Sequence, residues 1–298
     1  MLKVLIIGGS GFVGRHIQEI MAGEVNLFLT SRQEHDSNDT DKGLYFDLAK
    51  KETWNNVLKL NPDVIINSAG YGVVKEEVDL ETMYGVNYKF PKEFVSYLCT
   101  HSIKPFWLQI GTAFEYDLNT QVITEDSPCV PMTHYGMSKY LFSNFLLSSS
   151  NTLQFLILRP FAMFGPYETS SKFIPYLLNS QYENRAIELS SGEQKRDYFY
   201  VKDLAMFIKN LLQGKFLDLE YNIINVGSGV ASSLREIAFN LSKQIPDYKP
   251  QLWQWGRIDQ RADENSVFYN NSTRAKELNL VLTPVEKAFQ DTISYYFK

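Results

Sequence analysis

The chain has 298 residues, of which 44% are hydrophobic and 21% charged, and a formal net charge of −5. That balance excludes a disordered polyelectrolyte, and without a basic block the chain offers nucleic acid no electrostatic footprint. Two cysteines without ligand spacing, scattered histidines and no apolar run near the ~20 residues that cross a bilayer exclude a disulfide framework, a metal centre and a membrane helix. The expectation is a cytoplasmic protein with no membrane partner, whose Cys99 and Cys129 are reduced thiols in or near the core.

Short apolar runs at 4–7, 25–29, 64–67, 106–110 and 155–158 read as buried parallel strands. Helical stretches at 13–22, 53–59, 87–100 and 135–148 separate them. Strands alternating with helices imply right-handed crossovers and a doubly wound parallel α/β sheet, of the size of a nucleotide-binding domain. Beyond Arg159-Pro160 the regularity weakens. A last short strand is expected at 221–226, before the turn Gly227-Ser228-Gly229. The segments 163–200 and 230–298 read as an irregular lobe packed on the first domain and able to cover a substrate.

Directly after the first strand comes Gly8-Gly9-Ser10-Gly11-Phe12-Val13-Gly14. A sharp strand-to-helix turn without Cβ atoms lets a pyrophosphate reach the helix N-terminal amides. The second strand runs into Thr30-Ser31-Arg32, with no carboxylate before Glu34. Hydroxyls and a guanidinium suit a ribose 2′-phosphate, which a carboxylate would repel, so NADP(H) is favoured over NAD. Asp47, followed by Leu48, would either accept from an adenine amino group or simply close an ordinary turn. The small residues Ser68, Ala69 and Gly70 after the third strand would let a cofactor backbone approach.

Tyr135 and Lys139 stand at i and i+4, on one face if this stretch is helical. A free phenol titrates near ~10, and a neighbouring ammonium stabilises its phenolate and can hydrogen-bond a nicotinamide ribose. Thr112 follows the 106–110 strand, at the carboxyl end where doubly wound sheets bind ligands, and its hydroxyl would hydrogen-bond the reacting oxygen.

In this order the Gly8–Gly14 loop, Asn67-Ser68-Ala69, Asn87, Thr112, the Tyr135/Lys139 pair, Arg159-Pro160 and Gly165-Pro166 resemble the extended short-chain dehydrogenases that act on nucleotide sugars. The run from Gly192 to Asp203, Tyr221-Asn222, Gly227-Ser228-Gly229 and Arg261-Ala262-Asp263 extend the resemblance over nearly the whole chain. It implies a Rossmann dinucleotide-binding domain over 1–162 with a returning strand near 221–226, and a mainly substrate-binding lobe over 163–298. It further implies cofactor contacts from the glycine loop, Asn87 and Ala162, and substrate contacts from Ala113, Phe114, Lys172 and Phe173. Arg196 and Arg261 would bind the substrate diphosphate. A homodimer and a role in surface-polysaccharide precursor synthesis are implied by kinship alone.

The departures from the family patterns discriminate among its reactions. Dehydratases carry Asp-Glu after the threonine, where this chain has Ala113-Phe114. Phe114 also stands where enzymes resembling GDP-fucose synthase carry a cysteine. The run from Gln109 to Tyr116 resembles reductases of 6-deoxy and dideoxy sugars, such as the abequose and paratose synthases. The expectation is NADPH-dependent reduction of an NDP-4-keto-6-deoxyhexose, with a 4-epimerase and a non-catalytic dinucleotide-binding protein as alternatives. Ala162 replaces an asparagine common in relatives, and Asp117 replaces a glycine. Glu115 occupies a generally apolar position, with a substrate contact and a structural hydrogen bond both open.

Overall fold

The computed structural model describes residues 1–33, 43–74, 76–214, 219–259 and 267–297. They divide into two compact units: 1–117, 129–159 and 205–224 form the first, and 118–128, 160–204 and 225–298 the second.

A seven-stranded sheet carries the first unit. Its strands are β1 (Lys3–Ile7), β2 (Asn26–Ser31), β3 (Leu44–Tyr45), β4 (Val64–Asn67), β5 (Phe106–Ile110), β6 (Phe155–Pro160) and β7 (Ile223–Val226). They lie in the order β7-β6-β5-β4-β1-β2-β3, with β1 paired in parallel to both β2 and β4, and β5 to both β4 and β6. The order reverses direction beside β1, the switch point at which such sheets bind ligands. The central strands are buried along nearly their whole length, as continuous apolar runs are when helices cover both faces.

The helices are α1 (Phe12–Met21), α2 (Trp54–Leu60), α3 (Leu80–Tyr84), α4 (Phe90–Thr100) and α5 (His134–Ser148). Trp54, Phe94, Trp107 and Phe142 link them to the sheet through tilted and edge-on ring contacts 5.3 to 6.3 Å apart. Such pairs add to the burial of large apolar area.

Three differences from the sequence reading have physical causes. β2 runs on to Ser31 because Thr30 and Ser31 pair with Leu44 and Tyr45. The helical stretch expected from 87 begins at Leu80 and passes through a π-helical turn, Gly85–Lys89, which carries Asn87. The second unit is more regular than its composition suggests. Its helices Phe173–Tyr182, Leu234–Ser242 and Val285–Tyr296 enclose a core that includes Phe164, Ile174, Leu177, Leu241, Trp253 and Phe289. Ile174, Leu177, Leu178 and Gln181 are buried at helical spacing, and Pro175 sits in the first turn, where its missing N–H costs no bond. Among the described residues no helix is long and apolar enough to cross a membrane.

Candidate active site

Glycine geometry shapes the end of β1. Gly8 has φ +83°, and a Cβ on it would stand 2.6 Å from the Ala69 amide nitrogen, while one on Gly14 would strike the Gly8 carbonyl. The Gly11 N–H donates to the Gly8 carbonyl at 3.1 Å and closes the turn. α1 starts there without a side-chain cap, so its first-turn amides are left for another partner. Ser10 and Gly11 are exposed, and Phe12 and Val13 half-buried. Gly8 and Gly14 let the backbone close tightly here, and the exposed Ser10-Gly11 turn at the uncapped start of α1 fits a dinucleotide pyrophosphate.

The β1 and β4 ends are tied together. Ser68 Oγ donates to the Ile7 carbonyl at 2.9 Å and lies 3.2 Å from that of Gly8. Ser31, at the end of β2, has its hydroxyl bonded to the Gln33 carbonyl at 3.2 Å, and Arg32 is exposed. Asp47 accepts the Ala49 N–H at 3.0 Å, so one carboxylate oxygen closes its own turn, and Leu48 is buried in the core. Glu34, which bears on the cofactor argument, lies outside the described residues.

The catalytic trio expected from the sequence converges at the C-terminal ends of β4 and β5. Thr133 caps α5 by accepting the Gly136 N–H at 3.0 Å. Gly136 has to be glycine, since a Cβ there would collide with the Phe114 carbonyl, and the helix packs directly on the turn Ala113–Glu115. The Thr112 hydroxyl stands close enough to the Tyr135 phenol to favour its ionised form. Lys139 is buried, with Nζ donating to the Ile110 carbonyl at 2.9 Å and the Ala69 carbonyl at 3.3 Å. A Cβ on Gly70 would lie 3.6 Å from that ammonium and 3.8 Å from Asn87 Oδ1, so Gly70 belongs to the same cluster. Asn87 donates to Ser138 Oγ at 2.9 Å and the Tyr71 carbonyl at 2.8 Å, and accepts the Tyr71 N–H at 3.0 Å, pinning the loop after β4 to α5. Ala113 is buried, whereas Phe114 is 43% exposed with its ring edge-on to Tyr135.

Electrostatics assigns the protons. Burial raises the Tyr135 phenol well above its ordinary pKa, the Thr112 hydroxyl opposes this, and the Glu115 and Glu77 carboxylates add to it. The phenol therefore keeps its proton at neutral pH. Burial pushes Lys139 down to about 8, against the field of Glu115. The arrangement can deliver a proton to a developing oxyanion that also accepts from Thr112.

The other expected residues lie in the second unit. Ala162 begins a strand, Ala162–Phe164, paired in parallel with Tyr198–Tyr200. Lys172 is the N-cap residue of the helix that starts at Phe173, and the Phe173 ring meets Tyr198 and Trp255 at 6.4 and 6.5 Å. Arg196 Nη1 donates to the Lys195 carbonyl at 2.9 Å. Its neighbour Asp197 is buried and accepts from the Ser228 N–H and hydroxyl at 2.6 Å each, Gly229 N–H at 3.0 Å and Asn270 N–H at 3.1 Å. Arg261 lies outside the described residues.

Sequence reasoning missed Gly136, Ser138 and the partnership of Glu115 with Arg159. It also missed the pairing of Asn67 with Gln109, whose side chains bond at 2.9 Å between β4 and β5. The available signal was a polar residue inside an otherwise apolar strand, which needs a buried partner.

A parallel sheet with a glycine turn at its switch point is a dinucleotide-binding fold of the short-chain type. Residues 4–227 match the NAD dependent epimerase/dehydratase family, and the chain belongs to that family. It is 23% identical to the CDP-abequose synthase of Salmonella typhimurium over 92% of this chain and 91% of that protein. It is 26% identical to the dTDP-4-dehydro-6-deoxyglucose reductase of Escherichia coli over 81% of this chain and 82% of that one. The structure of RMD from Pseudomonas aeruginosa complexed with NADPH superposes with a TM-score of 0.82 at 20% identity, covering 100% of this chain and 99% of RMD. UDP-sugar 4-epimerases are among the similar folds as well.

Proposed function

We propose that this protein reduces the C4 keto group of a nucleotide-linked 4-keto-6-deoxyhexose, with NADPH as the reductant. The carrying observation is the Tyr135 phenol within reach of the Thr112 hydroxyl, one helical turn before the buried Lys139, with Ala113 and Phe114 where a dehydratase would need carboxyl groups. Neither an alanine nor a phenylalanine can shuttle the protons of water loss, whereas a phenol that holds its proton suits addition of hydride to a carbonyl. The Escherichia coli relative is a reductase of a 4-dehydro-6-deoxy sugar by name, which supports the same reaction class.

Bound NADPH supplies the hydride that reduces the carbonyl carbon. Tyr135 gives its proton to the resulting alkoxide, Thr112 donates to that oxygen, and the Lys139 ammonium stabilises the phenolate left behind. Solvent returns the proton to Tyr135, and the products are the 4-hydroxy sugar and NADP⁺. Gly8, Ser10, Gly11 and the first turn of α1 would hold the pyrophosphate, and Ser31 and Arg32 the 2′-phosphate. Arg196 and Arg261 would take the substrate diphosphate, with Lys172 and Phe173 near its nucleotide. On this reading residues 1–162 are mainly the cofactor domain and 163–298 mainly the substrate domain, and the protein works as a cytoplasmic homodimer.

The family's own description favours one second reading, a nucleotide-sugar 4-epimerase that returns its hydride to the same sugar. One assay separates them. Purified protein mixed with NADPH and dTDP-, CDP- or GDP-4-keto-6-deoxy sugars should lose the nicotinamide absorbance stoichiometrically with sugar. Interconversion of UDP-hexoses with no net cofactor change would establish the epimerase instead.

A further inference from the structure

Glu115 and Arg159 are both fully buried, at 0% and 1% exposure. One carboxylate oxygen, Oε2, accepts from Arg159 Nη2 at 2.8 Å and Nε at 3.0 Å. The other, Oε1, accepts the Thr112 backbone N–H at 3.0 Å. That second bond is half of a capping box. In the other half Thr112 Oγ1 accepts the Phe114 N–H at 3.3 Å. Arg159 is held in turn by the Tyr116 ring, 4.5 Å from its guanidinium carbon, and by Cys129 Sγ at 3.3 Å.

A buried ion pair is a weak route to stability, because apolar residues of similar volume usually do as well. This pair does something that apolar residues cannot: it sets the backbone of the residue whose hydroxyl meets the phenol. We propose that Glu115 is a positioning residue of the reaction centre, clamped by Arg159 so that its free oxygen fixes Thr112 and, through it, the approach of the Thr112 hydroxyl to the Tyr135 phenol. The proposal rests on the reading of Thr112 and Tyr135 given above. Its geometry leaves no ambiguity about direction, since the guanidinium binds only the oxygen that Thr112 does not use. The Glu115 carboxylate also supplies the field that favours the Lys139 ammonium against burial.

Paired substitutions test the claim without stranding a buried charge. E115L/R159M removes the acceptor for the Thr112 N–H, and E115Q/R159M returns an uncharged one to the same place. With NADPH and the reducible 4-keto sugar, E115L/R159M should lose roughly 10- to 100-fold in kcat, as small misplacements of reacting groups do, with KM and the NADPH Kd within about twofold. Assayed at a pH low enough to keep Lys139 charged without the Glu115 field, E115Q/R159M should recover most of that loss. Wild-type kcat in E115L/R159M, or no recovery in E115Q/R159M, overturns the proposal, because a purely structural pair would move only the melting temperature. If E115L/R159M does not fold, E115D keeps the charge but withdraws the carboxylate from Thr112. A fall in its kcat at unchanged KM supports positioning, and wild-type kcat refutes it. Should the wild type reduce no 4-keto sugar, the functional reading falls, and hydrogen exchange at the Thr112 amide decides the positioning claim. Faster exchange in E115L/R159M that E115Q/R159M reverses upholds it; unchanged exchange overturns it.

Discussion

The glycine turn at β1, proposed as the cofactor site, and the polar cluster at the end of β5, proposed as the reaction centre, belong to the same sheet and are built by opposite means. The turn is defined by missing atoms: Gly8 and Gly14 allow backbone contacts that a Cβ would break, and α1 begins without a side-chain cap. The reaction centre is crowded. Thr112, Tyr135, Lys139, Asn87, Ser138, Glu115 and Arg159 satisfy one another or nearby backbone within a few ångströms. On the proposed function the turn binds the cofactor and the polar cluster reacts, so substitutions in the two regions should separate affinity from turnover.

The largest effect expected is at the reaction centre. Tyr135→Phe removes the proton donor and should lower kcat by about 1,000-fold while NADPH binds within roughly threefold of wild type, by single-turnover kinetics and fluorescence titration. Retained turnover would take Tyr135 out of the acid role. At the glycine turn the pattern should invert. Gly14→Val drives a side chain into the Gly8 carbonyl and should weaken NADPH by at least about 100-fold, roughly 2.7 kcal/mol, which calorimetry can measure. Cofactor affinity unchanged in that variant would mean that the pyrophosphate sits elsewhere.

Two smaller effects sharpen the comparison. Arg32→Ala should cost NADPH about tenfold, roughly 1.4 kcal/mol, and leave NADH unaffected, because only the 2′-phosphate is lost as a partner. An equal loss for both cofactors would make Arg32 a general phosphate contact. The pH profile of kcat/KM reports the unliganded groups. Lys139, lowered by burial to about 8, is an ammonium below that pH and neutral above it, so activity that needs its charge should be full near pH 7 and fall as pH rises through about 8. A flat profile between pH 7 and 9 would contradict that role.

The contrast also explains what the sequence disclosed. A glycine cradle is a local device, and Gly8-x-x-Gly11-x-x-Gly14 after an apolar strand can be read without coordinates. Tyr135 and Lys139 are a helical i, i+4 pair, and Thr112 follows a recognisable strand, so their convergence needed only the parallel-sheet rule. The polar scaffold beneath them is non-local. Glu115 and Arg159 are separated by 44 positions, and Asn67 and Gln109 by 42, and nothing in either neighbourhood names the partner. Glu115 stood out as a charge in an apolar position, and only the fold gave it the capping role. In the second unit, helical periodicity was diluted by aromatic and polar residues, as in Phe173–Tyr182, where burial follows the helix but composition resembles a loop.

The central claim is that Tyr135 and Thr112 serve net delivery of hydride to a sugar carbonyl. NADPH deuterated at the transferable position of its nicotinamide ring, incubated with the protein and a nucleotide-linked 4-keto-6-deoxy sugar, tests it in one experiment. One deuterium at sugar C4, verified by NMR, is expected for each NADPH oxidised. A product without deuterium at C4, or sugar conversion with the NADPH pool intact, would contradict it.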